Sequence, residues 1–76
     1  MNDIFESIEK ELIRANEKHP FYPKDIFQQL AIMQEEAGEV TKAVLDYTFA
    51  NGSVENLRTE LIQTASMCIK MLKKLK

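Results

Sequence analysis

The stretch IFQQLAIMQEEAGEVTKAVLDYTFANGS, residues 26–53, decides the fold because it encodes one long helix and the point where that helix ends. Asn51 and Gly52 favour a left-handed helix stop, and Ser53 is suited to cap a following helix. Before them, apolar residues recur at alternating spacings of four and three, which predicts a helix over residues 24–49 with one apolar seam. The seam consists of Ile26, Leu30, Met33, Ala37, Val40, Val44 and Tyr47.

The segments on either side have the same helical period. Ile4, Ile8, Leu12 and Ala15 predict a first helix over residues 3–18, which ends before the connection HPFYP at residues 19–23. After the ANGS turn a third helix carries its apolar residues on one stripe, and no strand pattern competes in the sequence. This stripe consists of Val54, Leu57, Leu61, Ala65, Cys68, Leu72 and Leu75. The predicted fold is therefore all-α, a three-helix antiparallel chain that forms a single domain over residues 1–76.

The small size of the chain predicts self-association. A chain of 76 residues buries a modest fraction of its surface and lies near the limit of independent stability. Cys68 is the one cysteine and His19 the one histidine, so the sequence offers neither an internal disulfide nor a Cys/His zinc site. Oligomerisation is one of the few other ways to complete a small core. We therefore expect a helical bundle completed in a homodimer or a homotetramer.

Charge and hydropathy restrict the partners and the location. The formal net charge is -2 at pH 7, and the basic excess near the carboxyl end suits a helix terminus better than a nucleic-acid surface. No apolar run approaches the roughly 20 residues that span a bilayer, and the first residues lack the basic start and apolar block of a signal peptide. We expect a soluble, cytoplasmic protein that binds neither nucleic acid nor membrane.

The second helix carries three acids on one side. At about 100° per residue, Glu35, Glu36 and Glu39 fall within an arc of about 100°, nearly opposite the apolar seam. Their neighbours along the helix in that arc are Ile32 and Ala43, which makes this side partly apolar as well. Carboxylates held this close repel one another and raise at least one pKa unless a cation neutralises them. The pattern therefore predicts a bound cation.

The third helix supplies a further acid. Glu60, Thr64, Met67 and Met71 form a line with spacings of four, three and four, and Glu60 stands at its head. If the second and third helices pack antiparallel through the ANGS turn, Glu39 and Glu60 lie at comparable heights. An all-oxygen cluster of four carboxylates suits Mg²⁺ or Mn²⁺, and the lack of histidine at an ExxH spacing argues against a di-iron site.

The joint pattern resembles a known family. EExGEVxKA at residues 35–43, a short turn and then Glu60-Leu61-Ile62-Gln63 resemble the MazG-like all-α nucleoside triphosphate pyrophosphohydrolases, whose motif is EExxE followed by ExxD. The resemblance covers roughly residues 26–72. It implies an Mg²⁺-dependent enzyme that cuts the α-β phosphoanhydride bond of a nucleoside triphosphate, which yields the monophosphate and pyrophosphate. The role that it implies is the clearing of non-standard or surplus nucleotides.

The resemblance also implies roles for individual residues. Glu35, Glu36, Glu39 and Glu60 match the family's acidic positions and are the expected catalytic residues. We expect Glu36, Glu39 and Glu60 to supply most of the metal ligands. Glu35 is expected to be a further ligand or the group that orients the attacking water. Gln63 stands where the family has aspartate; its amide still offers one oxygen to a metal but carries no negative charge.

Several other side chains are candidates for substrate binding. Lys42 and Arg58 would complement phosphate oxygens, and Gln28 would read a base edge. Phe21 and Tyr22 would stack on a nucleobase, although aromatic residues bracketed by prolines also commonly fix a connection to the core. Gly38, inside a helix, predicts that another backbone or a ligand approaches closely there.

Two other functions remain open from the sequence. The first is a non-enzymatic helical oligomerisation module, in which the seam of the second helix mediates assembly and the acids form a charged interface. The second is a degenerate family member that binds nucleotides without hydrolysing them, for which Gln63 is the motive.

Overall fold

A computed structural model describes residues 2–75 and contains three helices: α1 (Asn2–Lys18), α2 (Ile26–Phe49) and α3 (Val54–Lys74). Within that range there is no strand, so the predicted all-α class is confirmed. Helix α2 begins two residues later than predicted because Asp25 caps it, its carboxylate accepting a hydrogen bond from the backbone N–H of Phe27 at 3.0 Å. None of the helices in this range is long and apolar enough to cross a membrane.

Helix α3 lies between the other two. Both α1 and α2 pack against α3, whereas α1 and α2 do not pack on each other over residues 2–75. The late part of α2 lies beside the start of α3, where Asp46 and Asn56 share a hollow, so α2 and α3 are antiparallel. The start of α1 lies beside the start of α3, where Ile4 and Val54 share a groove. The gap left between α1 and α2 becomes a cleft.

The turn between α2 and α3 is fixed by its backbone. Asn51 adopts a φ of 59°, the left-handed conformation predicted for the helix stop. The backbone N–H groups of Ala50 and Gly52 both donate to the carbonyl oxygen of Asp46, at 2.9 and 2.8 Å. The Ser53 hydroxyl oxygen accepts from the backbone N–H of Asn56 at 3.0 Å, which confirms the predicted cap of α3.

The face of α2 that packs on α3 is not the predicted apolar seam. Ile26, Leu30 and Val44 are exposed, whereas Gln29 and Ala43 are buried at 3% exposure each. At about 100° per residue the packed face is rotated by roughly 80° from the centre of the seam. Ala43 is small enough for the helices to approach, and the Gln29 amide is satisfied by donating to the Pro23 and Lys24 carbonyl oxygens, at 2.8 and 3.4 Å.

Helix α3 also buries a face other than its predicted apolar stripe. Its buried residues are Ser66, Met67 and Lys70, and Ser66 is satisfied because its hydroxyl donates to the Ile62 carbonyl oxygen at 2.8 Å. Most of the predicted apolar stripe is exposed instead, including Val54, Leu61, Cys68, Leu72 and Leu75. The inner side of α3 is therefore formed by these three residues, with the half-buried Glu60 and Gln63 beside them, rather than by the leucine stripe.

As a result the chain has a small core and a large apolar surface. Among the described residues, the hydrophobic ones that are buried are Ala15, Ala43 and Met67. The accessible surface is 5928 Å², whereas a compact monomer of 8.8 kDa exposes about 4,800 Å². The radius of gyration is 13.2 Å, against about 11.4 Å for a compact domain of this length.

The structure overturns the prediction that another backbone approaches Gly38. Outside the glycine's own helix, no described atom lies within 4 Å of the position that a Cβ would take there. Gly52 is the glycine in close contact, since a Cβ there would lie 2.8 Å from the carbonyl carbon of Asp46. Among the described residues, the tight turn is thus where another part of the chain approaches a glycine, and the approach of a ligand to Gly38 stays a prediction.

Alanine at these two positions should have opposite effects. Gly38→Ala is expected to raise the free energy of unfolding by about 0.8–1 kcal/mol, because alanine loses less backbone entropy in a helix. Gly52→Ala is expected to lower it, since the backbone of Asp46 must move. Urea unfolding of both variants measures the difference, and a destabilising Gly38→Ala would show that something outside the described chain approaches that surface.

Candidate functional site

A depression with a volume of about 450 Å³, the main cleft, lies between α1 and α2, with α3 as its floor. Helix α2 contributes Glu35 and Glu36, two of the predicted catalytic residues, and α3 contributes Gln63. The connection between α1 and α2 closes one end. The other polar and aromatic residues that line it are Glu11, Arg14, Lys18, His19, Phe21, Tyr22 and Lys70.

A second, smaller depression, the acidic hollow, lies between α2 and α3 and has a volume of about 150 Å³. Glu39 and Asp46 enter it from α2, and Glu60 enters it from α3. Lys42, which the sequence predicts to contact phosphate oxygens of a substrate, lines the same hollow. The antiparallel packing of α2 and α3 therefore brings Glu39 and Glu60 together at one height, as predicted.

Glu36 connects the two depressions electrostatically. It is half-buried on the side of α2 that packs on α3, flanked along the helix by Ile32, also half-buried, and the buried Ala43. Burial raises the pKa of Glu36 above its ordinary value of 4.5, and the charges of neighbouring carboxylates raise it further. In order of effect these neighbours are Glu60, Glu39, Glu35 and Glu11. Three of the predicted acids are thus close enough to the fourth, Glu36, to favour its protonated form.

Glu60 carries a buried oxygen that nothing satisfies. Its Oε2 atom is inaccessible to solvent and has no hydrogen-bond partner among the described residues. The nearby Thr64 hydroxyl donates to the backbone carbonyl of Glu60, at 2.9 Å, and not to its carboxylate. A buried carboxylate oxygen without a donor is costly, so it favours the binding of a cation.

The donor atoms of these residues suit a hard divalent cation. Their side chains are not arranged as a coordination sphere in the structure of residues 2–75. The donor set is carboxylate oxygen plus the Gln63 amide, which suits Mg²⁺ or Mn²⁺. Over residues 2–75, no three acidic, histidine or cysteine side chains are arranged as a metal-binding group. Rotation of the Glu39 side chain, which is exposed, is the simplest way for the cluster to close on an ion.

Arg14, the arginine that lines the main cleft, is already paired with a carboxylate. Arg14 donates from Nε and an Nη atom to the two carboxylate oxygens of Glu11, at 2.8 and 2.7 Å. The hydrogen bonds and the charge of Glu11 raise the pKa of Arg14 above its ordinary value. It is the one ion pair among the described residues, so neither Asp46 nor Glu36 is paired with a lysine. The other cations of the cleft remain free for an anion.

Lys70 is the residue of the cleft that sequence reasoning missed. It reads as part of a basic carboxyl-terminal run, yet it is 9% exposed and its Nζ lies 4.9 Å from the centroid of the Tyr22 ring. A signal was present, because Glu60, Gln63, Met67 and Lys70 have spacings of three, four and three on one face of α3.

The predicted substrate residues are distributed over several surfaces. Phe21 is 93% exposed beside the main cleft, where its ring is free to stack. Tyr22 lines the same cleft but is half-buried, and its ring lies under Lys70. Arg58 lines a different, apolar groove between α1 and α3. Gln28 is exposed on α2, and its neighbour Gln29 is the one that the fold buries.

Comparisons with protein-family models, with curated proteins and with solved structures found no match to this chain. What the site does must therefore be inferred from its side chains. These are clustered carboxylates at the junction of α2 and α3, a cleft beside them and free cations on the wall of that cleft.

Proposed function

We propose that the protein is an Mg²⁺-dependent nucleoside triphosphate pyrophosphohydrolase that acts on the α-β phosphoanhydride bond. The observation that carries the proposal is the position of Glu36, held half-buried against the carboxylates of Glu60, Glu39 and Glu35. Such crowding is unfavourable for a folded protein by itself and becomes favourable when a divalent cation binds. The cleft next to these acids is large enough for part of a nucleotide.

The side chains divide the work between the two depressions. Glu36, Glu39 and Glu60 would hold Mg²⁺, with the Gln63 amide oxygen as a neutral donor, and the ion would offset the negative charge of the phosphates. Glu35, exposed at the cleft, would accept the proton of the attacking water. The water oxygen forms a new bond to phosphorus, the bridging P–O bond breaks, and pyrophosphate leaves. Phe21 would stack on the base, and Lys42 would contact phosphate.

A panel of canonical and modified nucleoside triphosphates tests the proposal. Each is incubated with the protein and Mg²⁺, Mn²⁺ or a chelator, and the release of pyrophosphate and monophosphate is measured. Release with a metal and none with the chelator supports the proposal, and the preferred base identifies the substrate. No release from any nucleotide under all three conditions contradicts it. A cytoplasmic location stays a prediction.

Because Gln63 is a neutral amide, a second form of the same proposal is that the protein binds nucleotides without hydrolysing them. It lines the main cleft beside Glu36, where an aspartate would add one negative charge to the metal site. If Gln63→Asp releases pyrophosphate and the natural chain does not, the natural chain binds nucleotides only. Equal release by both chains shows that the amide suffices.

A non-enzymatic oligomerisation module is favoured by one observation of its own, the exposed apolar surface. The effect of Mg²⁺ on stability separates it from the enzyme. We expect about 5 mM Mg²⁺ to raise the midpoint of thermal unfolding, because a ligand that binds only the folded state stabilises it by RT ln(1 + [L]/Kd). Glu36→Gln should lose this shift. An unchanged midpoint in the natural chain favours the module.

We also propose that the chain forms a homodimer, with a homotetramer as the alternative. The accessible surface exceeds that of a compact monomer by roughly 1,100 Å². A standard interface buries about 800 Å² on each partner, so association of two copies accounts for an excess of this size. The surface best suited to it is the outer face of α2, defined as Ile26, Phe27, Leu30, Val44 and Leu45, all of them exposed.

A further inference from the structure

Lys70 is a buried cation that lacks an anionic partner. Its side chain is 9% exposed, and within residues 2–75 it takes part in no ion pair. The carboxylate that acts on it, that of Glu11, has both oxygens bonded to Arg14. A largely buried lysine whose ammonium has no anionic partner is unfavourable, so its position on the floor of the main cleft favours the binding of an anion there.

The surroundings of Lys70 hold its ammonium in place beside the main cleft. Its Nζ lies 4.9 Å from the centroid of the Tyr22 ring, a cation–π contact that fixes the end of a flexible side chain. Burial lowers the pKa of Lys70 below 10.5, the Glu11 carboxylate opposes this change, and Lys74 adds to it. A bound anion would reverse the lowering and would be held more tightly as a consequence.

We infer that Lys70 binds a phosphate group of the ligand, so that the main cleft has a phosphate site on its floor, beside Tyr22 and apart from its acids. This inference rests on the proposed function for the identity of the ligand, a nucleotide. The two ends of α3 then have separate tasks: Glu60 joins the acids of α2 in holding the cation, and the Lys70 ammonium contacts phosphate oxygens directly. Lys18, exposed at the same cleft, adds a second positive charge.

Direct binding of inorganic pyrophosphate, without divalent ions, tests the inference. The dissociation constant is measured by calorimetry for the natural chain, for Lys70→Met and for Lys10→Met. The last is a control with the same change of charge at an exposed lysine of α1, which does not line the main cleft. We expect Lys70→Met to weaken binding roughly tenfold or more, as for loss of a charge-assisted contact, and Lys10→Met to change it less than twofold. Equal affinities of the two variants, or no binding by the natural chain, would overturn the inference.

Thermal unfolding tests whether Lys70→Met weakens binding only because the variant has lost its fold. Without ligand, Lys70→Met should unfold at the same temperature or higher than the natural chain, because an unpaired buried charge has been replaced by an apolar chain of similar length. If Lys70→Met does not fold, Lys70→Gln replaces it in the same assay. Pyrophosphate binding that depends on Lys70 in a protein that hydrolyses no nucleotide rejects the proposed function and supports the phosphate site. Hydrolysis with no effect of either Lys70 variant rejects the phosphate site alone.

Discussion

Glu36→Gln is expected to lower Mg²⁺-dependent pyrophosphate release by about a hundredfold or more, and at the same time to raise the midpoint of thermal unfolding without divalent ions. The loss of activity follows because a bound metal supplies several kcal/mol of charge stabilisation and each 1.36 kcal/mol is tenfold in rate. The gain in stability follows because the variant removes the carboxylate whose pKa burial and four neighbouring acids raise.

The pH dependence of stability is a second test of the carboxylate crowding at Glu36. Because the folded-state pKa of Glu36 is raised above 4.5, the folded protein holds this proton more tightly than the unfolded chain does. The contribution of Glu36 to stability is therefore fully present below pH 4.5 and is lost as the pH rises through the raised pKa. Urea unfolding at several pH values should show this loss in the natural chain and not in Glu36→Gln.

The control for this experiment is Glu9→Gln, which removes one negative charge from an exposed position of α1. It should leave turnover unchanged and shift the unfolding midpoint little, since surface substitutions have small effects. Natural turnover in Glu36→Gln would remove this residue from the mechanism. A destabilised Glu36→Gln would show that its carboxylate makes a favourable contact, contrary to the crowding described above.

Leu30→Glu and Val44→Glu are expected to convert a dimer of about 18 kDa into a monomer at micromolar concentration. Both residues lie on the outer face of α2, each seven positions from Ala37 on one side of the helix. In a two-fold dimer the same face meets itself, so each substitution places two charges in one apolar interface. Because charge is strongly disfavoured at an interface centre, we expect the dissociation constant to rise roughly 100-fold or more.

Sedimentation measures the mass, and the dependence of the unfolding midpoint on protein concentration gives an independent check. Ile13→Glu is the matched control, because Ile13 is an exposed apolar residue of α1 and lies outside the outer face of α2. The natural chain should be dimeric in this assay, and the control should stay dimeric. A monomeric natural chain, or variants that remain dimeric, would contradict the assignment of this face.

The sequence was sufficient to predict the helices, because capping and turn chemistry are local. Ser53 caps α3 and Asn51 ends α2 in the left-handed conformation, both as expected from residue type alone. It was insufficient to predict which face of each helix packs inward. Periodicity locates an apolar stripe but does not say whether its partner is the same chain, and here Leu30 and Leu61 face outwards while Gln29 and Ser66 are buried.

The candidate site was predicted in part for a similar reason. The acids could be found because Glu36 and Glu60 stand out against helices that are apolar on two sides, and the structure brings them together. Lys70 could not be valued correctly, since its burial depends on how α1 and the connection around Tyr22 cover α3. A lysine near a helix end is normally solvated, so its alignment with Glu60 and Met67 was a weak signal that only the tertiary packing makes decisive.

The turn at residues 50–53 also has a consequence for how the length of this chain can vary. Two N–H groups on one carbonyl oxygen of Asp46 and the contact of Gly52 with the same residue set the alignment of α3 against α2. One residue inserted into α3 before Glu60 would rotate every later position of that helix by about 100° and advance it by about 1.5 Å, which would carry Glu60 away from Glu36. Homologues that retain both acids should therefore conserve the number of residues between them, and variation in length should be confined to the connection between α1 and α2.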